Sequence, residues 1–208
     1  MFALSKKHIL FIILAILISF TLAIPVAAAG FSAKEMKKMS LFLSNFTELR
    51  MFNVNAKEML NAQHPEEMIE FGIWHNYRNN FKSRIKHCTD KNCKWGSLTI
   101  DGAYVQESLK RYFDYAPAKM SSVERDGQAY HWDGRRYHFD GADGEATYYA
   151  SVAKAERSAD GLVHMSGVLY NVDDRNDVLG TFTALARPHK WKGRDTWALL
   201  ELKTTMKD

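Results

Sequence analysis

The sequence predicts an α+β domain, with amino-terminal helices packed on a curved antiparallel sheet of hairpins. Apolar residues recur at helical spacing over about residues 32–116, whereas apolar and polar residues alternate with a period of two from about 129 to 205. Turns that contain Asp and Gly separate the alternating segments, as expected between hairpin strands. Where helices precede a run of hairpins, they typically cover one face of the sheet.

Helix starts are marked by residues that favour a first helical turn. They are Ser32 with Glu35, Asn55 with Glu58, Pro65 with the acidic pair after it, and Asp101. We expect the helix that starts at Pro65 to end near 79–80, and a short strand to follow at Ser97–Ile100.

Three hairpins are predicted in the second half. Their turns are Asp133-Gly134, the segment Ala159-Asp160-Gly161, and a loop that contains Pro188 and Gly193. Long, bent hairpins around a pair of helices resemble the cone of the NTF2-like or cystatin-like folds, a likeness of element order alone.

The first 29 residues have the layout of an export signal. A pair of lysines precedes an uncharged stretch from Ile9 to Ala29, in which Pro25 and a run of alanines follow the most apolar part. We expect cleavage after Ala29, which leaves residues 30–208 as one domain in the periplasm, at the cell surface or outside the cell. Alternatively, the segment stays as an uncleaved membrane anchor, because about 20 apolar residues cross a bilayer. The domain faces outward in both cases.

Charge argues against nucleic acid as a partner. The whole chain carries +4, and removal of the two lysines of the signal segment leaves +2 on residues 30–208. Basic and acidic residues are interspersed, without the basic patch of a nucleic-acid interface. No glycine-rich phosphate loop opens a helix, and we predict no cofactor.

Cys88 and Cys93, the two cysteines of the chain, are expected to form a disulfide. An exported domain meets an oxidising compartment, in which two neighbouring thiols most simply pair with each other. The alternative is a metal site that includes His87. It needs a further ligand from elsewhere, and the C-x4-C spacing is not typical of zinc knuckles, so no metal is predicted here.

Trp74, His75, Asn76 and Tyr77 form a candidate binding site. Four aromatic or hydrogen-bonding residues in a row are unusual on a helix that packs on a sheet. His75 is the candidate proton carrier, because the pKa of histidine lies near physiological pH. Alternatively, Trp74 and Tyr77 pack in the core and His75 is hydrogen-bonded and half-buried.

Three further histidines, His131, His138 and His164, lie on predicted strands, and the first two face each other across the Asp133-Gly134 turn if the hairpin forms. Convergent histidines are zinc ligands, but no HxH or HExxH spacing is present. Surface or cross-strand positions explain these histidines equally well.

Two acidic loops offer oxygen ligands that calcium accepts. One runs from Asp140 to Glu145, and the other contains Asp173, Asp174 and Asp177. Neither has the EF-hand pattern, and tight turns need Asp and Gly for backbone reasons alone. Within the first loop, Asp143 and Glu145 are a candidate acid–base pair.

Aromatic residues are dense in the second half, where Trp132, Tyr137 and Tyr149 are expected to contribute to a binding face. Tyr and Trp combine a large apolar area with a polar group, as binding surfaces require. The alternative is that most of these aromatics are core residues and cross-strand pairs.

The segments Phe42–Phe46, Trp74–Tyr77 and Tyr137–Glu145 resemble segments of exported bacterial proteins that have no assigned activity. The resemblance implies export and no mechanism. The leading hypothesis is an envelope binding or inhibitory module for a small molecule, glycan or envelope protein. The alternatives are a small enzyme with a cup-shaped site, using His75 or the Asp143/Glu145 pair, and a structural envelope component.

Overall fold

The computed structural model describes residues 30–61, 65–142 and 147–207, without the side chains of residues 60 and 61. The proposed signal segment and the pair Asp143 and Glu145 lie outside these residues. From Phe31 onward the chain forms one compact unit. Among the residues described, no helix has the length and apolarity needed to cross a membrane.

The described part of the chain alternates helices and strands in its first half and contains strands alone in its second. The helices are α1 (Ala33–Thr47), α2 (Ala56–Asn61), α3 (Glu66–Arg84) and α4 (Gly102–Phe113). The strands are β1 (Asn53–Asn55), β2 (Ile85–His87), β3 (Leu98–Asp101), β4 (Val123–Arg125), β5 (Gln128–Trp132), β6 (Arg136–Phe139), β7 (Tyr148–Arg157), β8 (Val163–Asn171), β9 (Asp174–Trp191) and β10 (Arg194–Met206).

The α+β class is confirmed, and the strands form two antiparallel sheets instead of one. The large sheet has the order β1-β10-β9-β8-β7, and the small sheet has the order β2-β3-β6-β5-β4. Strands β1, β2 and β4, which the sequence does not predict, form edges of these sheets. Each has three residues, too few to show a period of two.

Side-chain caps start α1, α2 and α4 at the predicted residues, whereas α3 starts after Pro65 without a side-chain capping bond. The backbone N–H of Glu35 donates to Ser32 Oγ, and the N–H of Ser32 donates to Glu35 Oε2 at 2.8 Å. The predicted interruption of α3 near residues 79–80 coincides with a kink, because Asn80 leaves helical geometry (φ −136°, ψ 18°), and a second helical segment then continues to Arg84. Arg84 Nη1 donates to Asn76 Oδ1 at 2.9 Å and ties the turn after the kink to the helix before it.

All three predicted hairpins form, as β5/β6, β7/β8 and β9/β10. The third turn differs from its prediction, because Pro188 lies inside β9 opposite Trp197. Lys192 and Gly193 make the turn, with φ of 48° and 77°. Two successive residues of positive φ match the twist of hairpin strands, so that the pairing continues past the proline.

Helix α1 covers β7, the edge strand of the large sheet. Ser44 Oγ accepts from the N–H of Ala150 at 3.0 Å, and Ser40 Oγ accepts from the N–H of Val152 at 2.9 Å. Thr47 Oγ1 donates to the carbonyl oxygen of Tyr148 at 2.9 Å. Hydroxyls one helical turn apart therefore satisfy backbone groups that an edge strand otherwise leaves unpaired.

Helices α3 and α4 approach closely at Gly72. A Cβ at this position would lie 2.7 Å from Val105 Cγ1, so a larger residue does not fit without movement. One turn further along α3, Asn76 Nδ2 donates to Ser108 Oγ at 2.9 Å. The two helices are thus fixed relative to each other, which orients the remaining face of α3.

Candidate functional sites

A pocket of about 290 Å³ lies beside α3, next to the end of α1 and the segment that follows it. Phe71, Trp74 and Tyr77 supply its aromatic lining, from consecutive turns of α3. The rings of Trp74 and Tyr77 meet edge to face, with centroids 5.0 Å apart. The charged residues of the lining are Glu48, Arg50, Glu70 and Arg78.

Hydrogen bonds fix the indole of Trp74 in this pocket. Trp74 Nε1 donates to the hydroxyl of Tyr130 at 2.6 Å, and that hydroxyl donates to Glu70 Oε1 at 3.0 Å. The second oxygen of Glu70 forms an ion pair with Arg125 Nη1 at 2.9 Å. Strands β4 and β5 of the small sheet therefore hold a wall of the pocket in place.

The two carboxyl groups of the pocket are partly removed from water. Burial raises the pKa of Glu70, although Arg125 and the hydroxyl of Tyr130 oppose this shift. Burial also raises the pKa of Glu48, against a hydrogen bond from Asn79 and the charge of Arg78. Partly desolvated carboxylates next to guanidinium groups are strong hydrogen-bonding partners for a ligand.

The Trp74–Tyr77 segment divides between the pocket and the core. Trp74 and Tyr77 line the pocket, whereas Asn76 is fully buried between α3 and α4. His75 is also buried, stacked on Phe71 with centroids 5.5 Å apart. Burial, with the charges of two arginines, lowers the pKa of His75 to about 3. His75 therefore stays neutral at physiological pH, in the core and not in the lining of the pocket.

The predicted aromatic binding face is not continuous. Tyr137 is fully buried, and its hydroxyl donates to the carbonyl oxygen of Ser121 at 2.9 Å. Trp132 packs on Tyr137, with centroids 4.9 Å apart, and on the start of α4 at Gly102. Tyr149 is partly exposed and pairs with Tyr170 on the large sheet, at a centroid distance of 6.2 Å.

Tyr149 is not part of the lining of the pocket. Burial raises the pKa of its phenol, the charge of Glu48 adds to the rise, and the charge of Arg78 opposes it. Of the predicted binding residues, Trp74 and Tyr77 line the pocket, whereas Tyr137 and Trp132 support the small sheet.

The acidic side chains of these loops form hydrogen bonds of different range in the residues described. Asp140 Oδ1 accepts from the backbone N–H of Ser97 at 2.9 Å and so joins distant segments of the chain. Asp174 Oδ1 accepts from the N–H of Asn176, two residues further on, which is a turn contact. Asp177 Oδ2 accepts from Asn171 Nδ2.

A second candidate site brings the cysteine loop against the small sheet. Cys88 and Cys93 are free thiols, and the predicted disulfide is not formed in the structure. His138 of β6 places its Nδ1 3.3 Å from Cys93 Sγ and 3.7 Å from Cys88 Sγ. On the other side of the ring, His138 Nε2 lies 3.0 Å from Asp133 Oδ2.

Local hydrogen bonds shift the titration of these thiols. The backbone N–H of Trp95 lowers the pKa of Cys93, burial opposes it, and hydrogen bonds with Cys88 and His138 lower it further. The backbone N–H of Asp90 also favours the thiolate of Cys88, but burial and the neighbouring Cys93 leave the pKa of Cys88 raised. Cys93 is therefore the more readily ionised of the two.

The other histidines have different surroundings. His131 pairs with His138 across the hairpin, as predicted, and its ring stacks on Trp95 with centroids 4.1 Å apart. His164 lies in the large sheet opposite Glu156, away from this pair in the strand order. His87 is exposed at the end of β2, and the third ligand atom close to both sulfurs belongs to His138.

Sequence reasoning missed several residues of both sites. Glu48 follows the last residue of α1 and Glu70 lies on α3, and nothing in the sequence marks either as a pocket residue. His138 and Asp133 carried a usable signal, because the Asp-Gly turn sets the register of β6. The link between β6 and the cysteine loop, 45 residues from Cys93 to His138, exists only in the folded chain.

No family model matches this chain, and neither a curated protein nor a solved structure is significantly similar to it. The proposed relation to exported bacterial proteins therefore stays a resemblance of short segments.

Proposed function

We propose that this chain is an exported binding module that holds a small ligand in the pocket of Trp74, Tyr77, Glu48 and Glu70. The observation that carries the proposal is the fixed aromatic wall of this pocket beside partly desolvated carboxyl groups. At about 290 Å³ the pocket has the size of a small-ligand site, near the lower end of the usual range of about 300–1,000 Å³. Its ligand is accordingly a small molecule or one or two sugar units, and not a large cofactor.

The lining favours a ligand with an apolar face and hydrogen-bonding edges. Trp74 and Tyr77 offer ring surfaces, and Glu48, Arg50 and Arg78 offer charged acceptors and donors near them. A sugar ring combines an apolar face with hydroxyl groups, so a glycan unit is the first class to test. Export rests on the signal-like segment before residue 30, and the compartment is part of the proposal.

The enzyme alternative receives less support from the pocket. His75, the histidine chosen as proton carrier, is buried and neutral at physiological pH. The candidate pair Asp143 and Glu145 lies outside the described residues. Binding is therefore the function that the described residues support best.

The test is a melting-temperature screen with mono- and oligosaccharides and with small aromatic and carboxylic molecules. We expect at least one compound to raise the melting temperature of the wild-type chain, because a ligand that binds only the folded state stabilises it. Trp74→Leu should abolish this rise, since it removes the aromatic wall and its bond to Tyr130.

Trp95→Leu is the matched control. Trp95 is 45% exposed and lies on the cysteine loop, outside the lining of the pocket. It should keep the full response to the ligand. The proposal is overturned if no compound shifts the wild type, or if Trp74→Leu responds as strongly as Trp95→Leu.

A further inference from the structure

We propose that Cys88, Cys93 and His138 bind a zinc ion, with the fourth coordination position open to the groove of the cysteine loop. This site is separate from the pocket of Trp74, and its test is independent of the proposed function. Two thiolates and one imidazole are the ligand types that zinc prefers, and three protein ligands with an open position are typical of non-structural zinc sites.

The distances fit one tetrahedral ion. Zinc–sulfur bonds of about 2.3 Å and zinc–nitrogen bonds of about 2.0 Å place sulfur and nitrogen ligands roughly 3.5 Å apart. His138 Nδ1 lies 3.3 and 3.7 Å from the two sulfurs, and all three ligand atoms lie within 4.8 Å of one another. Small side-chain rotations bring them to coordination distance of a common centre.

Asp133 prepares the imidazole for this role. An ionised carboxylate only accepts hydrogen bonds, so the contact of 3.0 Å to Asp133 Oδ2 places the imidazole proton on His138 Nε2. The lone pair of Nδ1 is then directed at the sulfurs. A carboxylate behind a histidine is the usual second partner of metal-bound imidazole.

The fold holds the cysteine loop against β6. Cys88 extends the pairing of β2 through its N–H, which donates to the carbonyl oxygen of Ser97 at 2.8 Å. Gly96, with φ of +134°, passes so close to Phe139 that a Cβ would lie 2.3 Å from the Phe139 carbonyl carbon. Phe139 follows His138 directly, and the loop therefore approaches the histidine through this contact.

We expect the fourth position to open into a groove whose lining includes both cysteines, His87, Asp90, Lys94 and Asp140. None of these carboxylates belongs to the three-atom ligand cluster. Water or a small external ligand is expected there. Binding forms two zinc–sulfur bonds and one zinc–nitrogen bond, and the two thiol protons leave to solvent without any oxidation or reduction.

The experiment uses the full chain, purified without chelator, and measures bound zinc by elemental analysis and Co²⁺ binding by absorption spectroscopy. We expect one equivalent of zinc, and a thiolate-to-cobalt charge-transfer band with the intense visible bands of tetrahedral cobalt. Cys93→Ser and His138→Gln should weaken zinc binding by more than about 100-fold. Asp133→Asn, which keeps the acceptor for the turn, should weaken it by about 10- to 100-fold.

His164→Gln is the matched control, because His164 lies on the large sheet opposite Glu156 and is not in the ligand cluster. It should bind zinc as the wild type does, and circular dichroism should show that every variant is folded. A Cys88–Cys93 disulfide without metal in the purified chain overturns the proposal. So does zinc binding in His138→Gln that equals the binding in His164→Gln.

Discussion

The two sheets differ in how the chain builds them. In the large sheet, strands β7 to β10 have 9–18 residues and follow one another in order, so that hairpins set their register. The strands of the small sheet have three to five residues and come from segments separated by α4. Four strands of the large sheet are therefore consecutive in the sequence, whereas the small sheet joins distant segments of the chain.

Both candidate sites depend on the small sheet. Its strands β4 and β5 provide Arg125 and Tyr130, which fix the pocket, and β6 provides His138 beside the cysteines. The large sheet receives α1 on its edge and contributes no residue to the lining described for the pocket. Substitutions in the large sheet should therefore cost global stability, and those in the small sheet should also cost binding.

The largest effect is expected at Gly167 in the large sheet. A Cβ there would lie 1.9 Å from the carbonyl oxygen of Ser151, where β7 bulges between Val152 and Lys154. Gly167→Ala should lower the free energy of unfolding by about 3 kcal/mol or more, measured by urea denaturation. Gly161→Ala, in open space at φ +84°, is the control and should cost about 1 kcal/mol. Equal losses in both variants would contradict the close approach.

Gly96→Ala tests the small sheet in the same way as Gly167→Ala tests the large sheet. The added methyl meets the backbone of Phe139, and φ of +134° disfavours any side chain, so we expect a loss of about 2 kcal/mol in the free energy of unfolding. Because the cysteine loop must then move from β6, zinc affinity should fall together with stability. In Gly167→Ala, zinc affinity below the unfolding transition should stay unchanged. The prediction fails if both variants bind zinc equally well.

His75 makes the stability depend on pH. Its pKa is about 3 in the folded chain and about 6.5 when unfolded, so between these values the unfolded state binds more protons and stability falls as pH falls. Above pH 6.5 neutral His75 makes its full contribution to the free energy of unfolding. Between pH 6.5 and pH 4.5 about 2 kcal/mol of this contribution is lost.

The check is urea denaturation across this pH range. His75→Phe keeps an aromatic ring between Phe71 and Tyr112 but cannot be protonated. Between pH 6.5 and pH 4.5 the free energy of unfolding should fall less in His75→Phe than in the wild type. The difference between the two falls is the contribution of His75. Identical pH profiles for the variant and the wild type would show that His75 is not the group responsible.

The smallest effect is expected where α1 covers β7. Ser44→Ala leaves the N–H of Ala150 without its hydroxyl acceptor in a buried place and should cost about 1–2 kcal/mol. The control is Ser83→Ala on α3, whose exposed hydroxyl bonds only the carbonyl of Asn80 and whose loss should cost under about 0.5 kcal/mol. Slower hydrogen exchange at Ala150 in the variant than in the wild type would contradict this role.

Local patterns predicted more of the fold than of the sites. Capping at Ser32 and the Asp133-Gly134 turn involve residues close in sequence, and their chemistry is complete within a few positions. The continuation of α3 past the kink at Asn80 was not predicted, because the bond from Arg84 to Asn76, which ties the turn after the kink to the helix before it, forms only in the folded chain. The three-residue strands β1 and β2 exist because β10 and β3 offer partners, which periodicity does not show.

The sequence by itself determined the α+β class, the helix starts, the three hairpins and the opposition of His131 and His138. It also singled out Trp74 and Tyr77, and the proximity of Cys88 and Cys93. Only the tertiary structure divided the strands between two sheets, buried His75, and placed Glu70 beside Tyr130 and His138 beside the cysteines. The physical reason is the separation of the interacting residues along the sequence. The hydrogen bonds of turns and caps form within a few residues, whereas burial and the convergence of side chains depend on packing between distant segments.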